Sequence, residues 1–299
     1  MTSESAPLIS VVIPSYNHGR LIGRALASVL AQTYASIEVL VVDNHSSDNT
    51  AEVLAGFQDP RIRLLSIRNN GVIAASRNMG VCAARGEWIA FLDSDDWWAA
   101  DKLERCSSWF ECSDLVYHRL QVVDPGARSS RRRVIKSWQL KAPVLTHLLV
   151  SGNAIATSSV VVRKHVLDQV GGFDERPEIV AAEDYNAWLH IAQTTDRFKF
   201  VPDVLGQYLF NPHSASRKDM SVPVRIVCSQ FTALLDARQL KQMHANASYA
   251  GGRFAYSHGH WERAAAELWT SLRWGRVDMQ WKSLLTLGLI WWKKFRAAR

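Results

Sequence analysis

Short apolar runs alternate with helical patterns through the first third of the chain, and this alternation limits the possible folds more than any other feature. The runs at 8–13 (LISVVI), 37–42 (IEVLVV) and 87–92 (EWIAFL) are typical of buried strands. Between them, apolar residues recur at helical spacing, as in residues 21–30 and 72–85. The alternation predicts an α/β fold with a mostly parallel, Rossmann-like sheet flanked by helices.

Polar segments follow three of these strands. PSYNHG comes after the first strand, DNHSSD after the second, and DSDD after the strand that ends near residue 92. In parallel sheets, ligands bind beyond the carboxyl ends of the strands. We therefore expect the three segments to face one crevice.

The third segment places Asp93, Asp95 and Asp96 within four positions. One interpretation is that Asp93 or Asp96 caps the following helix, which would explain one or two of the carboxylates. A calcium loop is a second interpretation, but the glycine and distal glutamate of such loops are missing. A hard divalent ion, held by one or two carboxylates and completed by substrate phosphates, is the third, and the position at a strand end favours it.

Five motifs occur in a fixed order across roughly residues 8–215: SVVIPSYNHGRLIGRALASVLAQTY, VVDNHSSDNT, RNMG, GEWIAFLDSDD and the ED of residues 183–184. In this the chain resembles the family 2 glycosyltransferases. The resemblance implies a GT-A fold and an enzyme that moves a sugar from a nucleotide-diphosphate donor to an acceptor hydroxyl with inversion. It also implies that Asp93-Ser94-Asp95 is the family's Asp-x-Asp motif, in which Asp95 ligates Mn²⁺ or Mg²⁺ and Asp93 contacts the ribose or a metal-bound water.

The nucleotide is expected at the first two strand ends. Pro14 and Tyr16 close the first strand, and the ring of Tyr16 would lie against the nucleobase or simply cover the sheet edge. The family commonly has two acids at the second strand end, whereas this chain has Asp43 and Asn44. An acid accepts a hydrogen bond from the N3–H of uracil, and the carbonyl of Asn accepts one too. UDP- and dTDP-sugars are the favoured donors, and a guanosine carrier stays open.

The resemblance assigns further roles to residues that also have plain structural interpretations. Arg77 and Asn78 would approach the sugar or the phosphates, or Arg77 would be a surface residue of an amphipathic helix. Asp184 would be the general base and Glu183 would support it, although acids at this position also suit the start of the helix predicted over residues 183–194. His213, in a polar loop after the last strand, is a candidate contact to the diphosphate.

From about residue 219 the pattern is helical, with a hairpin predicted at 245–275. We therefore expect a transferase domain at 1–218 and a C-terminal helical region at 219–299. In the tail at 281–299, apolar residues share one helical face with lysines and an arginine around it. That helix either lies on an anionic membrane surface or packs against the body.

Charge, cysteines and hydropathy indicate where the protein works. The net charge of +7 comes from basic residues concentrated at 124–141 and 282–299, so the body is close to neutral and no nucleic acid is expected as a partner. The four cysteines have no C-x-x-C spacing and are expected to be reduced thiols. The start of the chain lacks a signal-peptide pattern, and no apolar run reaches about 18 residues. The expected location is the cytoplasm, with peripheral attachment to the inner face of the membrane as one outcome.

The functional prediction is a metal-dependent, inverting glycosyltransferase of bacterial surface polysaccharide or glycolipid assembly, acting on a saccharide or lipid-linked acceptor. A nucleotidyltransferase is an alternative, but PSYNHGR is not a glycine-rich, lysine-bearing phosphate loop. The other alternative is a non-catalytic subunit that binds a sugar or a lipid on a transferase scaffold that has lost its activity.

Overall fold

A computed structural model describes residues 6–126, 133–211 and 218–297. Apolar and β-branched segments of these residues form nine strands. The strands are β1 (Ile9–Ser15), β2 (Ile37–Asp43), β3 (Ile62–Ser66), β4 (Trp88–Phe91), β5 (Trp97–Trp98), β6 (Leu115–Val123), β7 (Arg133–Val134), β8 (Val161–Arg163) and β9 (Phe198–Leu209).

The same residues form eleven α-helices. The first of them buries one apolar face, as the helical spacing of its apolar residues predicts. The buried residues are Ile22, Ala25, Leu26 and Val29. The helices are α1 (Ile22–Leu30), α2 (Thr50–Ala55), α3 (Ile73–Ala83), α4 (Lys102–Ser107), α5 (Val144–Ser151), α6 (Lys164–Gln169), α7 (Glu183–Thr194), α8 (Ser221–Ser229), α9 (Ala237–Ser257), α10 (Trp261–Trp274) and α11 (Val277–Ala297).

One sheet runs through the body in the order β3-β2-β1-β4-β8-β6-β9-β5, and β7 pairs with β6. The strands β1 to β4 pair in parallel, which confirms the predicted parallel sheet. The chain adds β2 and β3 on one side of β1 and then returns to place β4 on the other side. This reversal opens a crevice beyond the carboxyl ends of β1 and β4, where open α/β sheets bind ligands.

The other half of the sheet mixes directions. Strands β8, β5 and β7 join antiparallel, whereas β6 and β9 pair in parallel. The last strand, β9, begins at Phe198. The strand passes through Pro202, which has no N–H to donate, by a bulge at which the pairing register shifts.

Helices cover the sheet on both faces and produce two large apolar clusters. One cluster lies under α3, α5 and α7 and includes Phe91, Trp188 and Phe173. The other lies under α1 and α4 and includes Trp88, Leu26 and Phe110. The predicted α/β architecture with C-terminal helices is therefore confirmed.

The C-terminal helices pack on the body and on one another. The side chain of Asn246 in α9 donates to the carbonyl oxygens of Leu149 and Val150 at the end of α5, at 3.1 and 2.8 Å. The predicted hairpin is formed by α9 and α10, around a turn in which Gly259 has a φ of 78°. Among the described residues, no helix is both long and apolar enough to cross a bilayer. All four cysteines are free.

Candidate active site

The loops that follow β1, β2 and β4 contact one another. The backbone N–H of Asn17 donates to Ser46 Oγ at 2.8 Å, and the N–H of Gly19 donates to Asp48 Oδ2 at 2.9 Å. His18 Nδ1 lies 2.7 Å from Ser94 Oγ, which joins the first loop to the acidic one. The three polar segments therefore share one crevice, as the sequence pattern predicts.

Arg77 is the buried cation of this crevice. It is 3% exposed, and its two terminal nitrogens donate to Asp93 Oδ1 at 2.9 Å and to Glu183 Oε1 at 2.6 Å. Burial alone would lower the pKa of Arg77, but the nearby carboxylates raise it above its usual value. Arg77 is therefore not the surface residue that its plain interpretation suggested. It links the acidic loop after β4 to the start of α7.

Asp184 lies beside this ion pair with both carboxylate oxygens engaged. Oδ2 accepts from Thr157 Oγ1 at 3.0 Å, and Oδ1 accepts from the N–H of Tyr185 at 2.6 Å. Desolvation and the charge of Glu183 raise the pKa of Asp184 to about 7, against the opposite effects of Arg77 and the two hydrogen bonds. The residue faces a cavity of about 300 Å³. A carboxylate with a pKa near neutrality is suited to general-base catalysis.

The chain approaches Asp184 through an unusual backbone conformation. Ala181 has a φ of 70°, in the left-handed region that a Cβ disfavours. Such positions persist where the surrounding structure determines them, and they are concentrated at functional sites. Neither Ala181 nor Thr157 was singled out from the sequence, because neither belongs to a recognisable local motif.

The three acidic residues after β4 have different environments. Asp96 is 1% exposed, and its Oδ1 accepts from the N–H of Leu209 at 2.9 Å. Burial and the two neighbouring aspartates raise the pKa of Asp96 well above its usual value. This residue therefore ties the acidic loop to β9. The next helix, α4, begins only at Lys102 and has no side-chain cap, so the helix-capping interpretation is wrong.

Asp93 and Asp95 remain as the candidate ligands of a cation. Burial and the charge of Asp93 raise the pKa of Asp95, which marks negative charge that the protein compensates only partly. Arg24 donates to the backbone oxygen of Asp95 at 3.0 Å and stacks on the ring of Trp97 at 3.4 Å. Among residues 6–126, 133–211 and 218–297, no three His, Cys, Asp or Glu side chains form a metal site. Two carboxylates fit an ion whose other ligands are phosphate oxygens and water.

The residues expected to hold the nucleotide lie at the ends of β1 and β2. Pro14 is buried within β1, and the side chain of Tyr16 is 56% exposed at the rim. Both oxygens of Asp43 accept from Ser46, at 2.5 Å from its hydroxyl and 2.9 Å from its N–H. Asn44 Oδ1 accepts from the N–H of Asn69 at 2.9 Å, so the loop already uses this carbonyl.

The side chain of Asn78, next to Arg77, is held by another part of the chain. The amide of Asn78 donates to the carbonyl oxygen of Phe173 and accepts from its N–H, at 2.7 and 2.8 Å, so it holds the segment that leads to Glu183. This segment passes so close that a Cβ on Gly172 would lie 2.6 Å from Asn78 Oδ1. His213 lies outside the described residues.

Solved structures with the same fold hold nucleotide sugars. Staphylococcus aureus TarS, residues 1–349 with UDP-GlcNAc, aligns with a TM-score of 0.67 at 17% identity, covering 98% of this chain and 92% of that one. The mannosyltransferase PcManGT from Pyrobaculum calidifontis, with GDP-Man and Mn²⁺, aligns with a TM-score of 0.61 at 19% identity, covering 97% and 82%. At these identities the likeness shows the GT-A fold alone.

Sequence relatives are closer. An uncharacterised glycosyltransferase of Nostoc sp. is 36% identical over 174 residues, which are 56% of this chain and about half (54%) of that protein. The Escherichia coli UDP-Glc:alpha-D-GlcNAc-diphosphoundecaprenol beta-1,3-glucosyltransferase WfgD is 33% identical over 186 residues, covering 62% of this chain and 69% of that one. The model of glycosyl transferase family 2 matches residues 10–159, half of the chain and the part that carries β1 to β4 with the acidic loop. The chain therefore belongs to glycosyl transferase family 2.

Proposed function

We propose that this chain transfers a sugar from a nucleoside-diphosphate sugar to an acceptor hydroxyl, with inversion at the anomeric carbon. One observation carries the proposal. Arg77 joins Asp93 of the acidic motif to Glu183, and thereby holds the donor side of the crevice next to Asp184. A single family-specific motif can occur by chance, but two that are 90 residues apart and share a buried cation support one active site.

The donor is proposed to lie across the ends of β1, β2 and β4. The carboxylate of Asp43, fixed by Ser46, would accept the N3–H of uracil or thymine, because each of its oxygens keeps a lone pair beside the hydrogen bond from Ser46. Tyr16 would lie along the base, with Pro14 shaping the strand end beneath it. The donors in the names of WfgD and the TarS complex are UDP-Glc and UDP-GlcNAc, which supports a UDP- or dTDP-sugar.

The diphosphate is proposed to lie over Asp93, Ser94 and Asp95. When bound there, Mn²⁺ or Mg²⁺ would act as a Lewis acid that neutralises the charge of the departing diphosphate. Asp95 and Asp93 are the residues that would hold the ion, and the Mn²⁺ complex of PcManGT supports this cofactor class. Arg77 would keep Asp93 oriented for this role. His213 stays a proposed contact to the diphosphate.

Asp184 is proposed as the general base. It takes the proton of the acceptor hydroxyl while the hydroxyl oxygen attacks the anomeric carbon, and the C–O bond to the diphosphate breaks with its electron pair on the leaving oxygen. A single displacement of this kind inverts the anomeric configuration. Glu183 supports the base by raising its pKa and by holding Arg77. Thr157 and the N–H of Tyr185 fix the orientation of the carboxylate.

The acceptor is proposed to be a saccharide or lipid-linked saccharide of bacterial surface polysaccharide or glycolipid assembly. The name of WfgD includes a diphosphoundecaprenol-linked acceptor, and a Rhizobium meliloti relative, ExoO, is named a succinoglycan biosynthesis protein. Transfer to such acceptors would place the enzyme in the cytoplasm, at the inner face of the membrane.

The helical region at 219–299 is proposed as the part that meets that membrane. The buried side chains of helix α11 are Ser283, Thr286 and Ile290. Large apolar side chains of α11 point outward instead, each at least 45% exposed: Val277, Trp281, Leu284, Leu285, Leu289, Trp291, Trp292 and Phe295. Lys282, Lys293, Lys294 and Arg296 lie among them, as on helices that lie flat on anionic lipid.

The test is incubation of the purified chain with UDP-glucose, UDP-GlcNAc, dTDP-glucose and GDP-mannose, each with Mn²⁺, with Mg²⁺ and with a chelator. The expected result is release of one nucleoside diphosphate that depends on both the metal and Asp95. With an acceptor, proton NMR of the product should show the anomeric configuration opposite to that of the donor. Release without metal, or retention of configuration, would contradict the corresponding part of the proposal.

A further inference from the structure

A second cavity, of about 330 Å³, lies between the transferase body and the C-terminal helices. Its lining comes from α5, α8 and α9, from the start of α11, and from the segment around Lys136. Four residues also line the cavity that contains Asp184: Lys136, Asn153, Tyr185 and Val224. The two cavities are therefore neighbours, and the proposed base lies close to the C-terminal helices.

The walls of this second cavity, which we call the helical cavity, are mainly apolar. Trp138, Leu149 and Met243 line it from three different segments of the chain. Asn246 also lines the cavity, and its buried Oδ1 has no hydrogen-bond partner among the described residues. The volume is at the lower end of the range of small-molecule sites.

Three cations meet at the rim of the helical cavity around one carboxylate. Lys136 Nζ bonds to Asp278 Oδ2, and Arg276 Nε lies 3.2 Å from Asp278 Oδ1. Lys282, one turn further along α11, also lines the cavity, and its ammonium group forms no ion pair within the described part of the chain. Three positive charges against one negative charge leave an excess of two. An apolar cavity with such a rim suits a ligand that carries phosphate on an apolar chain.

We propose that the helical cavity binds the phosphate-bearing part of an amphipathic acceptor. Lys136, Arg276 and Lys282 hold the phosphate, and the first carbons of the apolar chain lie against Trp138, Leu149 and Met243. The sugar then extends past Lys136 toward Asp184, which is the one step that rests on the proposed function. Trp281 is the neighbour of Lys282 and points outward, so the rim adjoins the face of α11 assigned to the membrane.

The test measures binding of dodecyl phosphate, below its micellar concentration, to the full chain by isothermal titration calorimetry. We expect saturable binding, and weaker binding by about tenfold when Lys282→Gln or Lys136→Gln removes one charged contact. Both lysines are exposed, so the fold should tolerate these changes. Lys141→Gln removes the same charge from an exposed position outside the cavity and outside α11, and it should leave the affinity unchanged. Inorganic phosphate should bind at least about tenfold more weakly, because it lacks the apolar chain.

Several outcomes would overturn the proposal. They are no binding by the unaltered chain, equal losses in all three lysine variants, no loss in Lys136→Gln and Lys282→Gln, and equal affinity for inorganic phosphate. Donor turnover is measured on the same preparations without the probe. Probe binding without turnover would remove the proposed function and leave the helical cavity as a phosphate site. Turnover without probe binding would remove only the helical cavity proposal.

Discussion

Arg77 lets three carboxylates, those of Asp93, Glu183 and Asp184, share one crevice. Its guanidinium pairs with Asp93 and Glu183 at 2.9 and 2.6 Å and lowers the pKa of Asp184, which burial and Glu183 raise. The result is a base that titrates near neutrality instead of one that stays protonated. Removing a buried partner of two acids would leave both uncompensated, so variants of Arg77 would disturb more than the chemistry.

Thr157 offers a milder test of the base at the residue scale. Its hydroxyl stabilises the ionised form of Asp184, so Thr157→Val should raise the pKa of the carboxyl. A general base works when deprotonated, so kcat/KM of the unaltered enzyme should rise as pH passes about 7. The variant should shift this rise to higher pH by up to about one unit. Ser159→Ala, in the same turn, is the control, and an unchanged or more acidic profile in Thr157→Val would argue against Asp184.

The buried side chain of Lys102 should make the stability of the folded protein depend on pH. Its side chain is fully buried in α4, with Nζ 3.5 Å from the ring of Trp98 and no hydrogen-bond partner within the described residues. Desolvation lowers its pKa from 10.5 to about 7. Between these values the folded state binds fewer protons than the unfolded state, so this lysine makes stability rise with pH across that window.

Lys102→Met should therefore raise the free energy of unfolding at pH 7 by roughly 1–4 kcal/mol, since a well-packed apolar side chain replaces a buried charge. The difference should shrink as pH rises from 7 toward 10.5, because the unfolded state then holds less of the proton that the lysine loses on folding. Urea unfolding at several pH values measures it, with Lys294→Met on the exposed side of α11 as control. A less stable variant at pH 7, or a difference independent of pH, would contradict the burial argument.

At the element scale, the outward face of α11 carries the clearest prediction. Replacing Trp281 and Trp292 with Ser should weaken binding to vesicles that contain anionic lipid by at least about tenfold, because two large apolar side chains no longer enter the interface. Cosedimentation measures this, and Trp269→Ser, which removes an exposed tryptophan of α10, should have little effect.

Replacing Lys293, Lys294 and Arg296 with Gln should weaken binding to anionic vesicles only. Equal losses in the α10 control would show that α11 has no special role.

Elements were more predictable from sequence than contacts between them. The strands β1 to β4 and the convergence of their ends follow from local apolar runs and from the geometry of parallel sheets. The distinction between Asp95 and Asp96 does not, because it depends on the N–H of Leu209, 113 positions away. The sequence also could not show that the apolar face of α11 is exposed. Periodicity identifies an apolar face of a helix but does not show whether that face points to the body or to solvent.

At the scale of the whole molecule, the C-terminal helices and the transferase body are parts of one arrangement. Asn246 and Arg276 fasten α9 and the start of α11 to carbonyl oxygens of α5, and Arg276 stacks over Trp138 at 4.7 Å. The cavity that contains the proposed base and the helical cavity thus lie next to each other. The sequence pattern changes near residue 219, and this change predicts separate regions at 1–218 and 219–299. The pattern does not predict which residues of the two regions contact each other.

The most direct test of the account is Asp184→Asn, measured for both turnover and donor binding. Asn keeps the size of the side chain but cannot take the proton of the acceptor. The account predicts that nucleoside diphosphate release falls by about 10² to 10⁴-fold, while the donor dissociation constant from calorimetry stays close to that of the unaltered chain. Asp168→Asn, at an exposed position of α6, is the control and should have the turnover and donor affinity of the unaltered protein. Unchanged turnover in Asp184→Asn would contradict the assignment of the base.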